Sequence, residues 1–236
     1  MKESVGIVIA LYNQGKYLDD AIRSVIDNGD KFNVEIVIVD DKSTDDSLKI
    51  AKELQVVYVA HKIRILEHEV NRGQAAARNT GIMHLPDADY IICLDADDRL
   101  HYNYINRLWG TIQRDKVDVS YANSQMFGDQ TGVYKWPEFS EANLKRGNFI
   151  NCSAMFKRVV WQNSGGFDET MRDGLEDYEF WIRAFRRGFK FAKNNDTRLW
   201  WRRSGTGTTH SIDTDKEKHD KVMGYIKTKH KEWVGT

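Results

Sequence analysis

The sequence predicts an α/β protein with a mostly parallel central sheet flanked by helices, and three observations point there. Short apolar runs rich in β-branched residues alternate with amphipathic segments of helical period over about the first hundred residues. Runs apolar throughout, without polar alternation, belong to strands covered on both faces, as in parallel sheets. No Gly/Ser linker, low-complexity tract or internal repeat divides the 236 residues, and only Pro86 and Pro137 punctuate them.

Residues 5–10 (VGIVIA) read as the first strand. Residues 17–28 place Leu18, Ala21, Ile22 and Val25 on one face of a helix. A second strand spans 34–39 (VEIVIV), after which Ser43 or Thr44 is expected to cap a helix through Leu48, Ile50, Ala51 and Leu54. Residues 63–66 form a short third strand, 73–83 a helix and 90–94 (YIICL) a fourth strand. Beyond them the pattern is less regular. A helix is expected over 102–114, extended chain over 118–127, an aromatic-bearing loop over 134–149 and a strand over 151–156. Residues 176–187 form a helix ended by Gly188. Segments 189–192 and 198–202 read as extended, and 213–233 as a charged helix. The expected organisation is one domain over 1–212, with halves divided near residue 98, and a helical tail over 213–236.

The formal net charge is zero, which argues against a general nucleic-acid binder with its basic excess. Cys93 and Cys152 lie in apolar contexts without metal-ligand spacing and read as buried, reduced thiols. No apolar run approaches the roughly 18 residues of a membrane helix, and the N-terminus lacks a signal-peptide pattern. A soluble, cytoplasmic protein is expected, with contact to the inner membrane face left open.

In parallel sheets ligands bind beyond the carboxyl ends of the strands. Four polar clusters fall there: Ala10, Leu11, Tyr12 and Asn13; Asp40, Asp41 and Ser43; Asn71, Gly73 and Arg78; and Asp95, Ala96 and Asp97. Asp41 can accept from a base N–H or a ribose hydroxyl, and Tyr12 offers a ring face. Gly73 permits close backbone approach, and Arg78 carries a fork matched to phosphate. Asp95 and Asp97 flank one small residue and can reach a common hard cation together with diphosphate oxygens. Each piece alone has a plainer explanation as a turn, cap or solvated residue. Converging on one rim, they describe a pocket for a nucleoside diphosphate and a metal.

The series IALYN, VDDKSTDDS, NRGQAAARNTG, LDADD and GLEDYEFWIRA resembles the inverting family 2 glycosyltransferases, whose fold is the Rossmann-like GT-A fold. The resemblance covers roughly residues 4 to 210 with the motifs in order. It implies a nucleotide-diphosphate sugar donor, UDP-linked by expectation, and Mn²⁺ or Mg²⁺. It implies that Ala10, Tyr12, Asp41 and Arg78 hold the nucleotide, that Asp95 contacts ribose or metal, and that Asp97 ligates the metal. Asp177, paired with Glu176, is the implied general base. Family members often place a His after the last strand. Here Trp201, Arg202, Arg203, Ser204 and Gly205 stand there, and His210 is the candidate third ligand.

The helix carrying Asp177 is expected to begin near Gly174, which would lower the carboxylate's pKa through the helix N-terminus. Arg202 or Arg203 would assist the leaving diphosphate beside a Ser-Gly-Thr-Gly lid. Trp136, Trp200 and Trp201 are the acceptor candidates, whereas Trp161 and Trp181 read as core. The acceptor is expected to be a carbohydrate or glycolipid. A nucleic-acid or lipid-phosphate acceptor remains the alternative suggested by the tail lysines, and the tail could also support a homodimer. Competing readings are a metal-dependent nucleotidyltransferase, disfavoured by the lack of an early Gly-rich loop, a receiver-type signalling module, which is too short, and a silent sugar-nucleotide-binding relative.

Overall fold

Apolar runs become strands where both faces find cover. In the computed structural model, which describes residues 2–29, 31–204 and 215–234, β1 (Ser4–Leu11) sends Val5, Ile7, Ile9 and Leu11 to one face of the sheet and Val8 to the other, all fully buried. β1 pairs in parallel with β2 (Asn33–Asp40) and β4 (Tyr90–Asp95), and β2 with β3 (Lys62–Glu67). Helix α1 (Gly15–Ile26) buries the predicted stripe of Leu18, Ala21, Ile22 and Val25. Helix α2 (Ser47–Val57) starts later than expected. Ser43 and Thr44 do not cap it; the Ser43 hydroxyl accepts from the Asn13 amide and the Thr44 amide donates to the Asn13 side chain. Helix α3 (Gln74–Met83) follows Gly73, whose φ of 90° lies in the left-handed region.

The second half adds β5 (Arg99–Leu100), α4 (Tyr104–Asp115), β6 (Val119–Gly128), β7 (Gly132–Tyr134), α5 (Glu141–Arg146), β8 (Met155–Lys157), α6 (Arg158–Ser164), α7 (Glu176–Arg186) and β9 (Phe191–Arg203). The nine-stranded sheet runs β3-β2-β1-β4-β8-β6-β9-β5, with β7 on β6. It is parallel through β4 and mixed beyond it. β8 is antiparallel to both β4 and β6, so β6 points the same way as β4, and β9 is parallel to β6. The carboxyl ends of β1, β2, β3, β4, β6 and β9 therefore share one edge.

Several local expectations change. The predicted strand over 151–156 shrinks to β8, because the Ala154 amide donates to the Asn151 carbonyl in a turn. The loop over 134–149 contains α5, capped by the Ser140 hydroxyl, which accepts from the Asn143 amide. The two extended segments after Gly188 are one strand, β9, whose register on β6 jumps from Asn194 to Arg198 at a bulge. Trp181 is fully buried as expected, but Trp161 is only partly buried, with its indole N–H donating to Asn79. The C-terminal helices α8 (Lys216–Lys229) and α9 (Lys231–Val234) are more than a solvated face. Val222, Ile226 and Trp233 join the core on the α7 side. Among the described residues, no helix is long and apolar enough to cross a membrane.

Candidate active site

The shared strand edge gathers most of the residues singled out in the sequence. At the end of β1, Ala10 is half-buried and Leu11 is core, while Tyr12 stands 45% exposed. Asn13 holds φ 54°, a left-handed conformation that Asn tolerates. At the end of β2, Asp40 is buried; one oxygen accepts from the Ser43 amide and Oδ1 has no partner among the described residues. Asp41 is buried beside it. Its Oδ1 accepts from the Arg72 amide at 2.8 Å and pairs with His68 Nδ1 at 2.7 Å, while Oδ2 accepts from the Gly73 amide at 2.7 Å. Asn71 closes the turn by donating to the Asp41 carbonyl. His68 was not singled out in the sequence; its position directly after β3, on the ligand-binding edge, was the available signal.

Arg78 occupies the centre. The fork expected to meet phosphate is instead buried between carboxylates: one nitrogen donates to Glu176, the other to Asp95 Oδ1 at 2.8 Å. It thereby ties the end of β4 to the start of α7, 98 residues apart from its own position on the Glu176 side. Cys152 Sγ donates to the other Asp95 oxygen at 3.5 Å. Burial pushes the Cys152 thiol well above its ordinary value, with the Asp95 charge adding to the effect, so the group is a neutral donor.

Asp97 lies next to this cluster. Burial first, and the neighbouring Asp95 charge second, push its carboxyl up to about 6. Asp98 is raised as well by burial and by both acidic neighbours; its Oδ1 accepts from the Arg202 amide. The Arg202 side chain donates to the Asp97 carbonyl and lies 4.0 Å over the Tyr17 ring. Arg203, one residue on, faces the other side of the sheet and sits 4.4 Å over Trp201.

Glu176 and Asp177 open α7 after Leu175, whose φ of 60° turns the chain sharply into the helix. Asp177 Oδ1 accepts from Asn148 Nδ2 at 3.0 Å and from the Tyr178 amide. The expectation of a lowered pKa is corrected here. Burial, reinforced by the Glu176 charge, lifts Asp177 to about 7, outweighing Arg78, Asn148 and the helix N-terminal amide. Sequence could supply the helix dipole but not the desolvation.

The aromatic candidates divide. Trp136 and Trp201 cluster with Tyr134, with ring centroids 4.2 to 6.4 Å apart, and Trp136 packs against the core on the α7 side. Trp200 instead packs with Phe127 and Arg99, the group that also receives Arg202 and Tyr17 of α1. Tyr134, missed in the sequence, is the most exposed of these rings at 46%. His210 lies outside the described residues. Among the described residues, no three His, Cys, Asp or Glu side chains gather into a metal-binding group. The donor set of Asp95 and Asp97 nonetheless fits a hard divalent ion completed by diphosphate oxygens, since two crowded carboxylates, one already forced up in pKa, are relieved by positive charge.

The family model described as glycosyl transferase family 2 matches residues 6–178, from β1 to just past Asp177. The chain belongs to glycosyltransferase family 2. Among curated relatives, a chondroitin synthase of Escherichia coli is 28% identical over 229 residues, covering 93% of this chain and 32% of that protein. The chain spans less than half the length of each of the curated relatives it matches first. Among solved structures, S. aureus TarS with UDP-GlcNAc superimposes with a TM-score of 0.79 at 18% identity, covering 95% of this chain and 66% of that one. A mannosyltransferase of Pyrobaculum calidifontis, solved with GDP-Man and Mn²⁺, gives 0.70 at 15% identity, covering 88% and 59%. The GT-A fold of the family 2 enzymes is thus the fold of this chain.

Proposed function

We propose that this chain transfers a sugar from a nucleotide-diphosphate sugar to an acceptor hydroxyl, with inversion, in a single displacement. The observation that carries the reading is the Arg78 bridge. Through it the Asp95 carboxylate and the Glu176–Asp177 pair belong to one charged cluster at one edge of the sheet. An inverting transferase needs such an arrangement, with a leaving-group site and a base facing each other across the donor.

In this reading the acceptor O–H gives its proton to the Asp177 carboxylate as its oxygen bonds to the anomeric carbon. The bond from that carbon to the diphosphate oxygen breaks on the opposite side, and the nucleoside diphosphate leaves with the electron pair. A base poised near neutrality suits that transfer, a contribution of about 10²–10⁴-fold. The Glu176 carboxylate beside the base keeps its affinity for protons high, and Arg78, paired to Glu176, opposes that effect only in part. Asp41 accepts from the base or ribose, with Tyr12, Asn13 and the backbone of Gly73 completing the nucleotide pocket. Asp95 and Asp97 are the residues that would hold Mn²⁺ or Mg²⁺, which when bound supplies Lewis-acid neutralisation of the departing diphosphate. TarS with UDP-GlcNAc and the mannosyltransferase with GDP-Man and Mn²⁺ support a nucleotide sugar and a divalent ion for this fold. The Tyr134, Trp136 and Trp201 rings are the acceptor surface favoured by their position on the α7 side. The acceptor class is carbohydrate or glycolipid.

Thermal-shift measurements with a panel of nucleotide sugars, with and without Mn²⁺, test the donor site. At least one donor should raise the melting temperature only when the metal is present, and Asp97→Asn should abolish that shift. Stabilisation independent of metal and of Asp97 would contradict the reading.

A further inference from the structure

His68 is a buried side chain at the nucleotide edge that the proposed chemistry leaves without a task. It follows β3 directly, and its backbone amide extends the sheet by donating to the Asp40 carbonyl at 2.9 Å. The side chain is 6% exposed, and both nitrogens are engaged. Nδ1 lies 2.7 Å from Asp41 Oδ1, and Nε2 lies 3.0 Å from the Thr80 hydroxyl on α3. An ionised carboxylate only accepts, so the proton on that side belongs to Nδ1.

Counting lone pairs on Asp41 gives the consequence. Each carboxylate oxygen accepts two hydrogen bonds. Oδ1 is filled by His68 Nδ1 and the Arg72 amide, and Oδ2 takes the Gly73 amide, which leaves one acceptor position. The Asp41 side chain is 5% exposed, enough for one contact and little else. A carboxylate held in this way accepts a single N–H. Uracil, thymine and guanine present a ring N–H on the pairing edge, whereas cytosine and adenine present a bare ring nitrogen that repels the same lone pair.

We infer that His68 is a positioning residue that fixes Asp41 as a single-acceptor reader of the donor's base, so that the pocket selects bases carrying a ring N–H. The inference rests on the assignment of Asp41 to the nucleotide and adds the residue that orients it. Three substitutions separate positioning from packing. Asn places an amide N–H where Nδ1 stands, Gln places one where Nε2 stands, and Ala supplies neither.

The experiment measures dissociation constants of UDP, GDP, CDP and ADP, each with Mn²⁺, for the wild type, His68→Asn, His68→Gln and His68→Ala, with melting temperatures recorded alongside. The wild type should prefer UDP or GDP over CDP and ADP. His68→Gln and His68→Ala should lose about tenfold or more of that preference, the range expected for a hydrogen bond to a charged group. His68→Asn should stay within a few-fold of the wild type. A folded His68→Gln protein with undiminished base preference, or a His68→Asn protein as indiscriminate as His68→Ala, would overturn the inference while leaving the donor reading standing. A wild type that binds none of the four nucleotides would overturn both.

Discussion

Replacing Arg78 by Met tests whether the centre of the site is held by charge. The guanidinium is 2% exposed, and Glu176, its closer partner, is 4% exposed. Removing one member of a buried pair leaves the other charged and unpaired, at a cost of about 3–5 kcal/mol. Asp95, whose side chain is 35% exposed, is screened by water and adds little. For a domain of this size each kcal/mol moves the melting temperature by about 2–4 °C, so Arg78→Met should melt about 6–20 °C below the wild type. The double variant Arg78→Met/Glu176→Gln removes the stranded charge and should recover a large part of that loss. Thermal denaturation followed by circular dichroism at pH 8 reads both. A residue whose only task was to hold phosphate would weaken nucleotide binding on removal without changing the melting temperature. A loss under about 1 kcal/mol, or no recovery from Glu176→Gln, refutes the electrostatic account of the bridge.

Two further predictions concern pH. Asp177 titrates near 7 in the folded chain against an ordinary 3.8, so the folded state holds its proton more tightly and stability falls as pH rises between those values. Asp177→Asn should therefore be more stable than the wild type at pH 8, with the advantage shrinking toward pH 4 in a series of thermal melts. Glu179 behaves oppositely. Burial alone would raise it, but hydrogen bonds from His230, Arg183 and Lys229 bring it down to about 2 from 4.5. Glu179→Gln should cost about 3 kcal/mol at pH 7 in urea denaturation, and the deficit should vanish as pH falls from 4.5 through 2.

What the sequence made legible is what local pattern controls. The runs VGIVIA, VEIVIV and YIICL declare themselves because a strand covered on both sides is apolar at every position, as Val8 and Ile9 on opposite faces of β1 illustrate. The polar clusters after those strands are readable because strand direction alone sends them to one edge. The rest depends on contacts distant in sequence. Nothing local distinguishes an Arg78 that meets phosphate from one that joins Asp95 to Glu176. His68 acquires a role only through Asp41 and Thr80, and Asp177 a raised pKa only through burial. The tail reads as charged because its apolar residues are sparse, yet Val222, Ile226 and Trp233 suffice to dock it. The short helix α5 escaped notice because six residues give too little periodicity, although Ser140 stands at its cap.

The base assignment is tested most directly by the pH dependence of transfer in the wild type beside Asp177→Asn, using whichever donor the thermal-shift panel identifies. The wild-type rate should climb with pH and level off above a midpoint of about 7, and the variant should bind donor normally while turning over about 10²–10⁴-fold more slowly. An Asp177→Asn protein that transfers sugar at the wild-type rate would remove the carboxylate at the head of α7 from the reaction, and the mechanism with it.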